Sequence, residues 1–230
     1  MNQDEKTIFN KITSLIDEKD FEKAEIELNL IISSNKNSDE AMSHACLLIG
    51  YIHTCRDNKN KKQHIAKRML LDCIESNFPI PLAYSLYADQ EKDKNVAINY
   101  LKAGLIKFSE SPSIYLCLLK HCKKNETIKY IDEINNKNIV SIDLLNKVIE
   151  ILISTSNWEK AEMFLQKLLK QADIPDYNRL YLEMLFSFSL VIQEKEIDFQ
   201  TKTNQGETKS IKITEQTYQI EPMAIDNNQN

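Results

Sequence analysis

Nine residues of this chain belong to the types that ligate transition metals or act as thiol nucleophiles: His44, His53, His64, His121, Cys46, Cys55, Cys73, Cys117 and Cys122. Two groups stand out by spacing. His44-Ala45-Cys46 and His53-Thr54-Cys55 repeat an H-x-C pair within one predicted helix. Residues i and i+2 of a helix point to opposite sides, and Cys46 and His53, which share a face, lie about 10 Å apart along the axis. They cannot share an ion without ligands from elsewhere, so the pair reads as packing, with Cys as a small hydrophobe. Cys117, His121 and Cys122 form the second group. A Cys beside a His can make an activated nucleophile, but adjacent helical residues diverge by about 100°, so this group also reads as structural. There is no glycine-rich phosphate loop, no HExxH and no CxxC. The expectation is a non-enzyme with no metal, no cofactor and no small-molecule substrate.

One charged segment carries a different kind of chemistry. Arg56, Lys59, Lys61, Lys62, Lys67 and Arg68 face a single acid, Asp57, for a local net charge of +5. The segment reads either as a solvated loop and helix start or as a dock for an acidic partner or nucleic-acid phosphates. No aromatic interleaves with it, the nearest being Tyr51, so base stacking finds no support.

The rest of the chain must position these groups. Its net charge of −5 and pI near 5.5 give no global drive towards nucleic acid or anionic membrane. Apolar residues make up 42%, enough for a core. Glycine occurs three times, at Gly50, Gly104 and Gly206, against an average of roughly 7%. Such scarcity suits a nearly all-helical chain. The opening MNQDEKTIFNKI lacks the pattern of a signal peptide, and no run of 18 apolar residues suggests a span. Five cysteines without framework spacing read as reduced thiols in the cytoplasm or nucleus.

Internal repetition sets the architecture. Asp20-Phe21-Glu22-Lys23-Ala24-Glu25-Ile26-Glu27-Leu28 and Asn157-Trp158-Glu159-Lys160-Ala161-Glu162-Met163-Phe164-Leu165 stand 137 residues apart. Related segments centre on Ala66, Ala97 and Thr127, so anchors at 24, 66, 97, 127 and 161 are separated by 42, 31, 30 and 34 residues. This is the period of a two-helix unit that buries its apolar face only by stacking. The preceding helices correspond too: Ile8, Ile12, Leu15 and Ile16 match Leu145, Ile149, Leu152 and Ile153, each an i, i+4, i+7, i+8 stripe.

Boundary signals predict helices over 5–18, 21–34, 39–55, 60–76, 81–90, 93–108, 112–123, 125–135, 141–155, 158–172 and 175–196. Asn37 or Ser38 and then Ser111 are the expected caps, with Pro81, Pro112 and Pro175 opening helices. Residues 1–196 form the predicted repeat domain. Residues 197–230 are polar and read as a disordered tail. Within the tail, 210–220 alternates like a strand that could add to a partner's sheet.

The repeat resembles the tetratricopeptide repeat (TPR). The residues that carry the likeness are Phe21, Ala24, Leu28, Ile31 and Ile32 in the first unit, and Trp158, Ala161, Leu165, Leu168 and Leu169 in the last. The middle units are degenerate, with an insertion around Arg56–Gln63 and short first helices in the third and fourth. The resemblance implies an all-α, right-handed superhelical stack of about five antiparallel helix pairs. It further implies a concave face, lined by first helices, that holds a peptide or helix of another protein. The chain would then be a scaffold or adaptor within a larger complex, with a nucleic-acid-associated role through the basic segment as the alternative. First-helix residues free for that face are Lys6, Asn10, Thr13, His44, Tyr51 and Tyr84. A subset of the family grips a C-terminal carboxylate with Lys and Asn. Lys6 and Asn10 suit such a clamp, but His44 occupies the next slot and 81–90 has no Lys or Arg.

Overall fold

Five second helices of this chain start in one way, and the stack follows from it. In the computed structural model, which describes residues 1–34, 37–56, 63–170, 176–192, 199–202 and 208–211, the helices are α1 (Gln3–Asp17), α2 (Phe21–Ser33), α3 (Asp39–Cys55), α4 (Gln63–Glu75), α5 (Pro81–Gln90), α6 (Lys94–Lys107), α7 (Pro112–His121), α8 (Lys124–Asn136), α9 (Ile142–Ser154), α10 (Trp158–Leu169) and α11 (Asp176–Ile192). Each predicted helix is present, with ends within a few residues. Every anchor is the fourth residue of an even-numbered helix. Ala24, Ala66, Ala97 and Ala161 are 0% exposed and Thr127 is 3% exposed. The N–H groups of Ala24, Ala97, Thr127 and Ala161 donate to the carbonyls of Asp20, Asp93, Lys123 and Asn157 at 3.1, 3.0, 3.1 and 3.0 Å, closing the first turn. A small side chain at this buried point lets another backbone come close, which larger residues would prevent.

The 137-residue duplication extends to backbone geometry. After α1, Lys19 takes φ 61°, and after α9, Ser156 takes φ 57°. Asp20 N–H reaches Leu15 O at 2.8 Å and Asn157 N–H reaches Leu152 O at 2.9 Å. Lys19 and Ser156 donate to Ile16 and Ile153, both at 3.0 Å. Both ends are Schellman-type closures, in which a left-handed residue turns the chain out of the helix. Asn138, φ 50°, ends α8 in the same way, with Ile139 N–H on Ile134 O at 3.1 Å. Glycine usually fills this position, so the chain's glycine shortage places Lys, Ser and Asn in a conformation that disfavours side chains.

By contacts the chain divides into Met1–Ile151 and Leu152–Asn230. In the first unit α1 packs on α2, α2 on α3, and so on through α7 on α8, while alternate helices α3, α5 and α7 also pack side by side. Its N-terminal core gathers Phe9, Ile12, Ala24, Leu28, Ile31, Ala41, Ala45, Ile49 and Ile52. Fully burying an aliphatic side chain of this kind contributes about 1.5–3 kcal/mol. The expected α1 stripe holds at Ile12, Leu15 and Ile16 but opens at Phe9 in place of Ile8: Phe9 is 8% exposed and Ile8 is 38% exposed. Gly50 on α3 sits where a Cβ would lie 2.7 Å from Leu70 Cγ and 3.4 Å from the Ala66 carbonyl, so α3 and α4 touch through it.

In the second unit α10 packs on α11. Trp158 meets the Phe188 ring edge-on, with centroids 5.8 Å apart, and the Arg179 guanidinium donates to Leu169 O at 3.2 Å. Beyond α11, strands β1 (Phe199–Lys202) and β2 (Thr208–Ile211) pair antiparallel, Phe199 opposite Ile211 and Lys202 opposite Thr208. So Ser210 and Ile211, expected to seek a partner's sheet edge, bond within the chain. The polar β1 segment lacked a recognisable strand signal. Residues 212–220 lie outside the described residues, as does Pro175.

Cap chemistry departs once from expectation. Ser38 caps α3, its side chain accepting from Ala41 N–H at 3.1 Å. Ser111 precedes α7 but makes no side-chain cap bond. Its hydroxyl pairs with Ser113 at 3.1 Å.

Two substitutions test this packing. Gly50→Ala drives a methyl into buried Leu70 and should destabilise the protein by about 1–3 kcal/mol. Lys19→Gly relieves the left-handed residue and should stabilise it by up to about 1 kcal/mol. Urea unfolding of both variants measures the opposite signs.

Candidate functional site

The first helices of the pairs, α1, α3, α5 and α7, are the elements that must present a binding face. The packing of α3 on α5 and α5 on α7 makes three of them neighbours. Glu5 adds α1. It completes a capping box with Asn2, and its carboxylate also accepts from Ser38 N–H at 2.8 Å and from the Ser38 hydroxyl at 3.1 Å. Glu5 is 4% exposed, and the backbone hydrogen bonds from Ser38 and Asn2 hold its pKa below the usual carboxylate range. One carboxylate thus starts α1 and fixes it to the start of α3. Phe9 meets His44 edge-on across the same contact, centroids 6.0 Å apart.

Lys6, Asn10 and Thr13 are exposed, at the i, i+4, i+7 positions of one α1 stripe. The Thr13 hydroxyl donates to Phe9 O at 2.9 Å. His44 is half-buried with Nδ1 2.9 Å from Glu40 O. Tyr51 is 37% exposed, and its hydrogen bond to Cys55 raises its pKa. Tyr84 is a correction. It is 1% exposed, its ring meets Phe108 at 6.1 Å, and it is core. Helix α5 packs against α3, α4, α6 and α7, which bury Ala83, Tyr84, Ser85, Tyr87 and Ala88 and leave Leu82 and Asp89 exposed. Periodicity cannot identify an outward face on a helix buried on most sides.

The basic segment is partly consumed by the fold. Arg56 donates to Glu25 Oε2 at 2.7 Å and lies 5.6 Å over the Phe21 ring. His53 Nε2 is 3.1 Å from the other Glu25 oxygen. Lys67 pairs with Glu91 at 2.9 Å and lies 5.9 Å over Tyr87. Both use one device, a helical aromatic and a glutamate four residues on, clasped by a cation from a neighbouring element. Arg68 is exposed. Lys59, Lys61 and Lys62 lie outside the described residues.

The structure brings together one group that sequence reasoning missed. Asp89 of α5 and Cys117 and His121 of α7 each turn one ligand-type atom to a common point, all within 4.8 Å of one another. Asp89 Oδ1 is 3.4 Å from Cys117 Sγ and 3.2 Å from His121 Nε2. Cys117 also donates to Ser85 O at 3.5 Å. Burial, and then the Asp89 charge, push the Cys117 thiol up to about 12, so it is a protonated donor and a poor nucleophile. The sequence signal was Cys117-x-x-x-His121, an i, i+4 pair; the expected partner, Cys122, ends the helix instead. The H-x-C pairs do not converge: His44 turns to Glu40 O, His53 to Glu25, and the half-buried Cys46 thiol is raised by burial to about 11.

Comparison with known proteins adds the fold. No family model matches the chain, and no curated protein is significantly similar in sequence. Among solved structures, the chain is similar to a tetratricopeptide repeat protein from Parabacteroides merdae, with a TM-score of 0.51 and 13% identity over 80% of this chain and 70% of that one. The fold is therefore a divergent TPR-like helical repeat. No helix among the described residues is long and apolar enough to cross a membrane.

The Lys67–Glu91 contact generates a pH prediction. Lys67 foremost, then the N–H groups of Asp93 and Lys92, lower Glu91 from 4.5 to about 2. A depressed carboxylate stabilises the fold above its ordinary pKa, and that contribution is lost as pH falls from about 4.5 towards 2. Glu91→Gln should lower the urea midpoint at pH 7, and the gap to wild type should narrow as pH is taken down from 5 to 3.

Proposed function

We propose that this chain is a non-catalytic protein-interaction scaffold that takes a peptide or helix of another protein along the layer of first helices, as a subunit of a larger complex. The observation that carries the reading is the alignment of α1, α3, α5 and α7 as neighbours in a repeat stack. Exposed Lys6, Asn10, Thr13 and Tyr51 and half-buried His44 lie on the first two of these helices. Repeat stacks of this kind create extended surfaces suited to proteins. Tyr84, being core, leaves the proposed face. Residues 1–196 serve as the repeat domain and 197–230 as its tail, in the cytoplasm or nucleus.

A nucleic-acid role through the basic segment is less well supported, because Arg56 and Lys67 are already paired to Glu25 and Glu91. Affinity capture of the tagged chain with and without nuclease separates the two. A stoichiometric protein partner should survive nuclease. The combined variant Lys6→Ala, Asn10→Ala, His44→Ala and Tyr51→Ala should lose that partner by at least tenfold while keeping its far-ultraviolet circular dichroism. Capture that disappears with nuclease would overturn the reading.

A further inference from the structure

We propose that Asp89, Cys117 and His121 form a binding site for one divalent ion of the zinc class, joining α5 to α7. The site lies at the surface between the two helices, with Cys117 buried, His121 half-buried and Asp89 exposed. Cys117 and His121 stand one turn apart on one face of α7, and Asp89 reaches them from α5. A tetrahedral zinc ion bonded at about 2.0–2.3 Å keeps its ligand atoms roughly 3.3–3.6 Å apart. The two edges from Asp89 Oδ1 measure 3.2 and 3.4 Å, and the remaining Sγ–Nε2 edge lies within 4.8 Å.

The donor set selects its class. Once the ion displaces the Cys117 thiol proton to water, thiolate and imidazole with one carboxylate suit zinc and related borderline ions, whereas magnesium and calcium call for oxygen ligands alone. The other Asp89 oxygen, Oδ2, stands 3.9 Å from Lys120 Nζ, which leaves Oδ1 for the ion. A second observation points the same way. Ser85 lies one turn before Asp89 on the same face of α5, is 7% exposed, and its hydroxyl has no hydrogen-bond partner among the described residues. A buried hydroxyl without a partner is costly, and beside an ion site it can serve a bound water or a ligand. Three protein ligands leave a fourth position for that water or for a side chain of a partner. α5 and α7 are the two shortest first helices, ten residues each, and an ion would pin them where the stack has least helix to hold it.

Cobalt(II) added to the full, chelator-treated chain tests it. One equivalent should produce a near-ultraviolet thiolate-to-cobalt band and tetrahedral visible bands, and zinc should displace both. Cys117→Ser should abolish the thiolate band. Asp89→Asn and His121→Asn should weaken binding by more than about tenfold while the band persists at saturating metal. Cys122→Ser and Cys46→Ser should leave it unchanged. Asp89 and His121 are not core residues, so these two variants carry the test if Cys117→Ser does not fold. The absence of a thiolate band at one equivalent, or a band that moves with Cys122 or Cys46 instead of Cys117, would overturn the site.

Discussion

The stack depends on a steric constraint at the fourth residue of each second helix. Ala24, Ala66, Ala97, Thr127 and Ala161 are buried almost completely, and a larger side chain at any of them would hold its helix away from the neighbour. Gly50 applies the same rule from the opposite side of the α3–α4 contact. Thr127 shows how a polar residue meets it: its hydroxyl donates to Lys123 O at 2.9 Å and so enters the core satisfied. Because each pair depends on its neighbours for burial, the unit must be repeated, and repetition sets first helices beside one another.

Glutamates make the second set of ties. Glu5 joins the starts of α1 and α3, Glu25 receives Arg56 and His53, and Glu91 receives Lys67 and the Tyr87 hydroxyl. The Glu5, Glu25 and Lys67–Glu91 bonds cross between elements, and Glu5 satisfies the Ser38 N–H, which would otherwise need water. They also bear on function, since a cation held by the fold is less available to a phosphate. A charge cluster that looks like a binding patch in sequence is here partly an internal fastening.

What was legible in the sequence followed from local rules. The Ala24 and Ala161 segments announced the repeat, and their correspondence continued into the turn residues Lys19 and Ser156, whose left-handed backbone no residue type advertised. Helix starts at Asp39, Pro81 and Pro112 followed from Ser38 and the prolines. What failed depended on packing between elements. Tyr84 looked free as a first-helix residue not needed for packing, but α5 packs against four helices that bury it. Asp89 looked like one acid among many, because its 28-residue separation from Cys117 means nothing until α5 lies against α7. The β1 strand, Phe199–Lys202, is polar at three of its four residues and takes its pairing from β2.

The central claim is that the first-helix layer is the face a partner occupies. Photo-crosslinking side chains placed singly at Asn10 and Tyr51 on first helices, and at Asn29 and Ile106 on exposed positions of α2 and α6, test it most directly in cells producing the full chain. A single protein adduct from Asn10 and Tyr51, with none from Asn29 and Ile106, is the predicted result. Adducts confined to Asn29 and Ile106, or to nucleic acid, would contradict the account.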